Sequence, residues 1–187
     1  MTADLREALR ELYESLRTEM RERWNRDLPL EELLFDRWER ARSLGFGDGA
    51  SIYHNSYVFG DVQVGANTWI GPFTLLDGSG GLTIGRGCSI SSGVQIYSHD
   101  TVRWAVSEGA APTERSRTAV GDFTYIGSQT VVDRGVTIGD HCVIGAASFV
   151  NRDIPSYTVA AGVPCRPIGT VGVGEDGAVE LLYPARG

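Results

Sequence analysis

The sequence predicts an all-β fold: a parallel β-helix of about five coils behind a two-helix appendage. Three observations carry that prediction. Aliphatic or aromatic residues recur every six positions in three runs: Phe46, Ile52, Val58, Val64, Ile70 and Leu76; then Ile84, Ile90 and Ile96; then Val120, Ile126, Val132, Ile138, Ile144 and Val150. Gly often follows the apolar residue, as at Gly47, Gly65, Gly85, Gly127 and Gly145. A small or β-branched residue often stands four after it, as at Ala50, Thr68, Cys88, Thr124 and Ser148. A hexapeptide period marks a parallel β-helix. An amphipathic α-helix, with about 3.6 residues per turn, keeps no face at period six.

Residues 1–45 read as a helical cap. Leu5, Leu9, Leu12, Leu16, Met20 and Trp24 recur at three or four residues and predict an amphipathic helix over 3–25. Asp27 is the expected N-cap of a second helix, with Pro29 in its first turn and Gly45 at its end. Such helices would cover the strand edges at the open end of the β-helix.

From 46 onward, three hexapeptides make one triangular coil. The apolar residue points inward, and the following Gly is expected to help the chain bend. Stacking then builds three columns, headed by Phe46, Ile52 and Val58. The period breaks twice, both times after the third column. The step from Leu76 to Ile84 is eight residues, through Asp77-Gly78-Ser79-Gly80-Gly81. Between Ile96 and Val120 a loop over 97–119 is extruded. Departures of this kind tend to share one face of a repeat protein, often the binding face. The tail, 169–187, predicts a short hairpin around Glu175-Asp176-Gly177.

Composition narrows the function. A formal charge of −7 and the lack of a basic cluster argue against a nucleic-acid binder. No stretch reaches the length of a membrane span. The N-terminus lacks an apolar signal core, which points to the cytoplasm. Cys88, Cys142 and Cys165 are widely spaced and odd in number, which fits reduced packing thiols and neither disulfides nor a metal site.

Where a reaction needs a general base, histidine is the usual choice because it titrates near neutral pH. His54 and His141 lie on regular coils. His99, in Ile96-Tyr-Ser-His-Asp100, opens the long loop, and Asp100 is a candidate to orient it.

The segments Val120-Gly-Asp-Phe-Thr-Tyr-Ile-Gly-Ser128, Gly135-Val-Thr-Ile-Gly-Asp140, Val143-Ile-Gly-Ala-Ala-Ser148, Asn151-Arg-Asp-Ile-Pro155 and Ala160-Ala-Gly-Val-Pro-Cys-Arg166 follow in one order. Over about 46–168 the chain resembles the hexapeptide-repeat acyltransferases, and most of all the galactoside, maltose and serine O-acetyltransferases and the sugar acetyltransferases. The resemblance implies a left-handed β-helix, a homotrimer, and acetyl-CoA as co-substrate in the groove between subunits, with no metal. It places the general base at His99 and an oxyanion donor at the Ser128 N–H, in the Tyr125-Ile-Gly-Ser128 segment. Tyr125 stands where relatives often have Trp and would contact the acceptor. Ser128, Ala146, Asn151, Arg152 and Arg166 match the CoA contacts. This chain departs at Thr101, where many relatives carry a second histidine, and at Gly169, where some carry a basic residue for the phosphates.

The leading expectation is therefore acetyl transfer to a hydroxyl of a sugar, nucleotide sugar or similar small acceptor. N-acylation of an amino sugar, a zinc-dependent carbonic anhydrase built on three histidines, and a noncatalytic binding β-helix are the alternatives.

Overall fold

The computed structural model describes residues 3–184. The expected columns form. Ile52, Ile70, Ile90, Ile126, Ile144 and Ala160 stack in parallel register. So do Val58, Leu76, Ile96, Val132 and Val150. Val64, Ile84, Val120, Ile138 and Ile154 make the remaining column, with Phe46 at its head through Gly47 N–H to Val64 O. Nearly all of these side chains are buried, and together they are the core.

Ile154 and Ala160 belong to a sixth coil beyond the five expected. Cys165 completes it: buried, it donates its N–H to Phe149 O. The step from Val150 to Ile154 is only four residues, so the period ends before the stack does. Arg166–Val173 and Val179–Leu182 then continue the sheet as an antiparallel hairpin.

The glycines after the column residues work differently from the expectation. They do not supply the bend. The residue in the left-handed region lies two positions later: Asn67, Phe73, Phe123, Gln129, His141, Ala147 and Tyr157 all have φ between 54° and 61°. The glycines serve close approach between coils. A Cβ on Gly65 would stand 2.5 Å from Arg86 N, and one on Gly127 2.5 Å from Ala146 N. Any side chain there would force the stacked backbones apart.

On several coils a buried Thr or Cys four after the column position ties coil to coil. Thr68, Thr124 and Thr130 donate their hydroxyls to Gly85 O, Gly139 O and Gly145 O, at 2.7, 2.9 and 3.1 Å. Cys88 and Cys142 occupy the same positions, with Sγ 3.0 Å from Gly121 O and 3.1 Å from Pro155 O. Burial pushes both thiols up.

The helical segment differs from the expected pair. α1 covers Ala3–Trp24, but the second helix is split into α2 (Leu30–Leu34) and α3 (Arg37–Ser43). Asp36 causes the split: its carboxylate accepts from Trp38 N and Glu39 N and starts a new helix. Asp27 caps nothing; it pairs instead with Arg17 and Arg21. α3 ends at Gly45, with Gly45 N–H on Arg42 O and Phe46 N–H on Ala41 O. α2 and α3 lie on the first coil. Glu32 accepts from His54 N at 2.5 Å, and Arg40 donates to Tyr53 O and, at 2.7 Å, to Ser56 O. No described residue of α1 is buried.

Candidate active site

Both interruptions of the period meet at the corner that follows the third column. There the extruded segment begins with His99–Asp100, which pairs antiparallel with Glu114–Arg115. Between these two short strands lies α4 (Val102–Val106). The eight-residue step, one coil earlier, folds over Asp77 and leaves it 1% exposed.

Asp77 was not singled out by the sequence, yet it organises this corner. Its Oδ1 accepts from Ser79 N at 3.0 Å and Ser79 Oγ at 2.6 Å. Its Oδ2 accepts from Ser98 N at 3.0 Å and lies 2.5 Å from His99 Nδ1. Burial penalises the charged form. The bonds from Ser79, Ser98 and His99 outweigh that penalty and hold the carboxyl well below the usual carboxylate range. An ionised carboxylate only accepts, so Nδ1 carries a proton, and in the neutral imidazole Nε2 keeps a lone pair. The His99 side chain is 33% exposed, so that lone pair is reachable from solvent. Tautomer, orientation and access together suit a general base.

Asp100 does not orient His99. Its carboxylate is bound by Arg134 Nε and by Val102 N, the latter at 3.0 Å. The hydrogen bond from Arg134 is the main reason its carboxyl lies below the ordinary value. Neighbours on a strand point to opposite faces, so the two side chains separate.

The remaining expected residues fall on two edges of the prism. Asn151 and Arg152 share the edge of His99, two coils on, and Arg166 joins them: its guanidinium lies 3.4 Å from Asn151 Oδ1 and 2.6 Å from Cys165 O. Ser128 and Ala146 lie on the edge between the second and third columns, with Tyr125, 42% exposed, on the adjoining face. The N–H groups of Ser128 and Ala146 bond to no described residue, whereas the matching N–H of Asp122 is taken by Asp140 Oδ1 at 2.7 Å. One full side of a coil thus separates Ser128 from the edge of His99 within a protomer.

The three histidines occupy three different edges. His54 packs against Phe35, and His141 is stacked between Phe123 and Tyr157. They do not converge on one point, as a three-histidine zinc site requires. Among the described residues, no group of three His, Cys, Asp or Glu side chains is placed to hold a metal ion.

A family model falls on the regular coils after the loop. The family described as bacterial transferase hexapeptide (six repeats) matches residues 117–152. These residues carry the hexapeptide repeats of that family. This hexapeptide-repeat chain is 59% identical over 49 residues to galactoside O-acetyltransferase of Escherichia coli, a match covering 26% of the chain and 24% of that enzyme. It is 34% identical over 108 residues to chloramphenicol acetyltransferase of Morganella morganii, covering 46% of the chain and 50% of that enzyme. The chain therefore spans between a quarter and a half of the length of these relatives. A hexapeptide-repeat acetyltransferase structure from Vibrio cholerae superposes with a TM-score of 0.58 and 26% identity, over 90% of this chain and 93% of that one. The N-acyltransferase AntD of Bacillus cereus, solved with dTDP and 3-hydroxybutyryl-CoA, shares the fold at 18% identity and a TM-score of 0.58, over 73% of this chain and 90% of that one.

Proposed function

We propose that this protein is an acetyl-CoA-dependent acetyltransferase that acylates a hydroxyl of a sugar or similar small acceptor, with His99 as general base. The observation that carries this reading is the His99–Asp77 pair. A buried, ionised carboxylate fixes the imidazole by Nδ1 and leaves Nε2 open toward solvent. Nε2 takes the acceptor's proton as its oxygen attacks the thioester carbonyl carbon. A tetrahedral oxyanion forms, and the Ser128 N–H donates to it. The C–S bond then breaks, and the departing CoA sulfur takes the proton from the imidazolium.

The working form is a cytoplasmic homotrimer with CoA between subunits. Two observations support a partner subunit. The oxyanion donor and the base lie on different edges of one protomer, so a neighbour must bring them together. Exposed aromatics also stand at the Ser128 edge on earlier coils: Trp69 and Phe73, 65% and 69% exposed. Arg152 and Arg166, with Asn151, supply cations and a polar group for the CoA phosphates. The buried free thiols suit a reducing compartment.

N-acylation of an amino sugar is the second reading. The AntD structures, some solved with dTDP-4-amino-4,6-dideoxyglucose and coenzyme A, favour it at the level of fold. The test is thiol release from acetyl-CoA against sugars, amino sugars and nucleotide sugars. His99→Ala should lose turnover by about 10²–10⁴-fold while binding CoA as before. Near-normal turnover in that variant would remove His99 from the mechanism.

A further inference from the structure

The strand pair that carries His99 sorts its charges by face. His99 is registered opposite Arg115, and Asp100 opposite Glu114. Directly opposed residues of an antiparallel pair project to the same side. One side therefore presents Asp100 and Glu114, and two arginines compensate them: Arg134 Nε bonds Asp100 and its NH2 lies 2.7 Å from Glu114 Oε2, while Arg103 Nε lies 3.4 Å from Glu114 Oε1. The other side presents His99 and Arg115. Arg115 is exposed and, among the described residues, forms no ion pair or side-chain hydrogen bond. Of the four charged or titratable side chains in the ladder, Arg115 alone is charged and uncompensated.

The glycine bulge keeps it so. Gly80 packs against Arg115 so closely that a Cβ there would stand 3.2 Å from Arg115 Cβ and 2.3 Å from Ser98 O. Gly81 faces Arg117, whose Cγ would lie 3.7 Å from a Cβ at that position. Arg117 is likewise exposed and without a carboxylate partner among the described residues. The chain as a whole is acidic, at −7. Two unpaired guanidinium groups on the segment that pairs with the base are thus a local reversal of the molecule's field.

We propose that Arg115, assisted by Arg117, is an anion subsite of the acceptor pocket, so that the acceptor carries a phosphate or carboxylate near the group to be acylated. The proposal rests on His99 being the reacting edge. CoA does not account for this subsite, because the long pantetheine arm holds its phosphates far from the thioester that His99 must approach. A guanidinium fork suits either anion.

The experiment separates this subsite from catalysis. Wild-type protein is saturated with CoA, which has no acyl group to transfer, and binding is measured by isothermal titration. Glucose 6-phosphate is compared with glucose, and galacturonate with galactose. We expect at least one anionic member to bind about 10- to 100-fold tighter than its neutral parent. The pair that shows the preference distinguishes phosphate from carboxylate. Arg115→Gln combined with Arg117→Gln should erase the preference, and Arg115→Lys should retain part of it. Equal binding within both pairs would overturn the proposal, as would a preference that survives the double substitution. A double variant that changes the oligomeric state and leaves the preference intact would reassign the arginines to a subunit contact. Turnover surviving in His99→Ala would remove the base and leave the result of these titrations standing by itself.

Discussion

Asp77 shows how a single side chain sets the chemistry of this corner. It is buried, yet it stays ionised because Ser79, Ser98 and His99 direct hydrogen bonds at it. Asp77→Asn preserves its shape and removes its charge. The amide no longer stabilises an imidazolium, so kcat for thiol release should fall between about 10²- and 10⁴-fold with CoA binding unchanged. Turnover within a factor of about 3 of wild type would show that the carboxylate serves folding alone. Its depressed acidity also has a stability consequence. The folded-state value lies below the unfolded value near 3.9, so the stabilisation is present above about pH 4 and is lost as pH falls further. Acid unfolding followed by circular dichroism should be less steep for Asp77→Asn than for wild type. His99 was legible in the sequence because it sits where the period stops. Asp77 was not, because its partnership spans 22 residues and depends on how an irregular bulge folds onto the coil above it. The visible trace was an eight-residue step opening on an acidic residue directly after a column position.

At the scale of elements, Arg134 ties the two strands of the extruded segment together from outside it. Arg134 reaches both strands of the pair, through Asp100 and Glu114, and approaches Ser116 Oγ at 3.4 Å. Arg134→Gln should leave the β-helix folded and loosen the loop. Limited trypsin digestion should then cut faster at Arg103, Arg115 and Arg117, and KM for the acceptor should rise more than KM for acetyl-CoA. Unchanged cleavage would mean that the loop is held by its own ladder. The regular coils were readable because stacking repeats one inward position every six residues, and the repeat survives in the structure as three continuous columns. The sixth coil was hidden by the short step to Ile154 and by the small side chain of Ala160. The helices were read in place but joined, since the apolar spacing runs on through Asp36 while its carboxylate takes the N–H groups that begin α3. The role of the glycines was misjudged because a period reports where a residue recurs and not whether φ or clearance demands it.

At the scale of the whole molecule, the proposed chemistry makes a demand that one chain cannot meet. His99 and the unbonded Ser128 N–H lie on different edges, so each reaction centre should combine the base of one subunit with the donor of its neighbour. Ser128→Pro tests this cleanly. Pro72 already occupies the same corner position, directly after Gly71 as Ser128 follows Gly127, so the backbone there tolerates the ring. The substitution deletes one N–H and should cost about 10²–10³-fold in kcat. His99→Ala trimers should be equally inert by their own defect. When the two variants are unfolded together and refolded in equal amounts, roughly a quarter of all sites should receive an intact base and an intact donor from different subunits. Thiol release should rise toward that fraction of wild-type activity, far above either parent. If both groups served the same active site from within one protomer, no mixture could regain activity. A refolded mixture that gives only the average of its parents, with mixed trimers demonstrated by mass, would therefore exclude a shared site and return the search for an oxyanion donor to the edge of His99 itself.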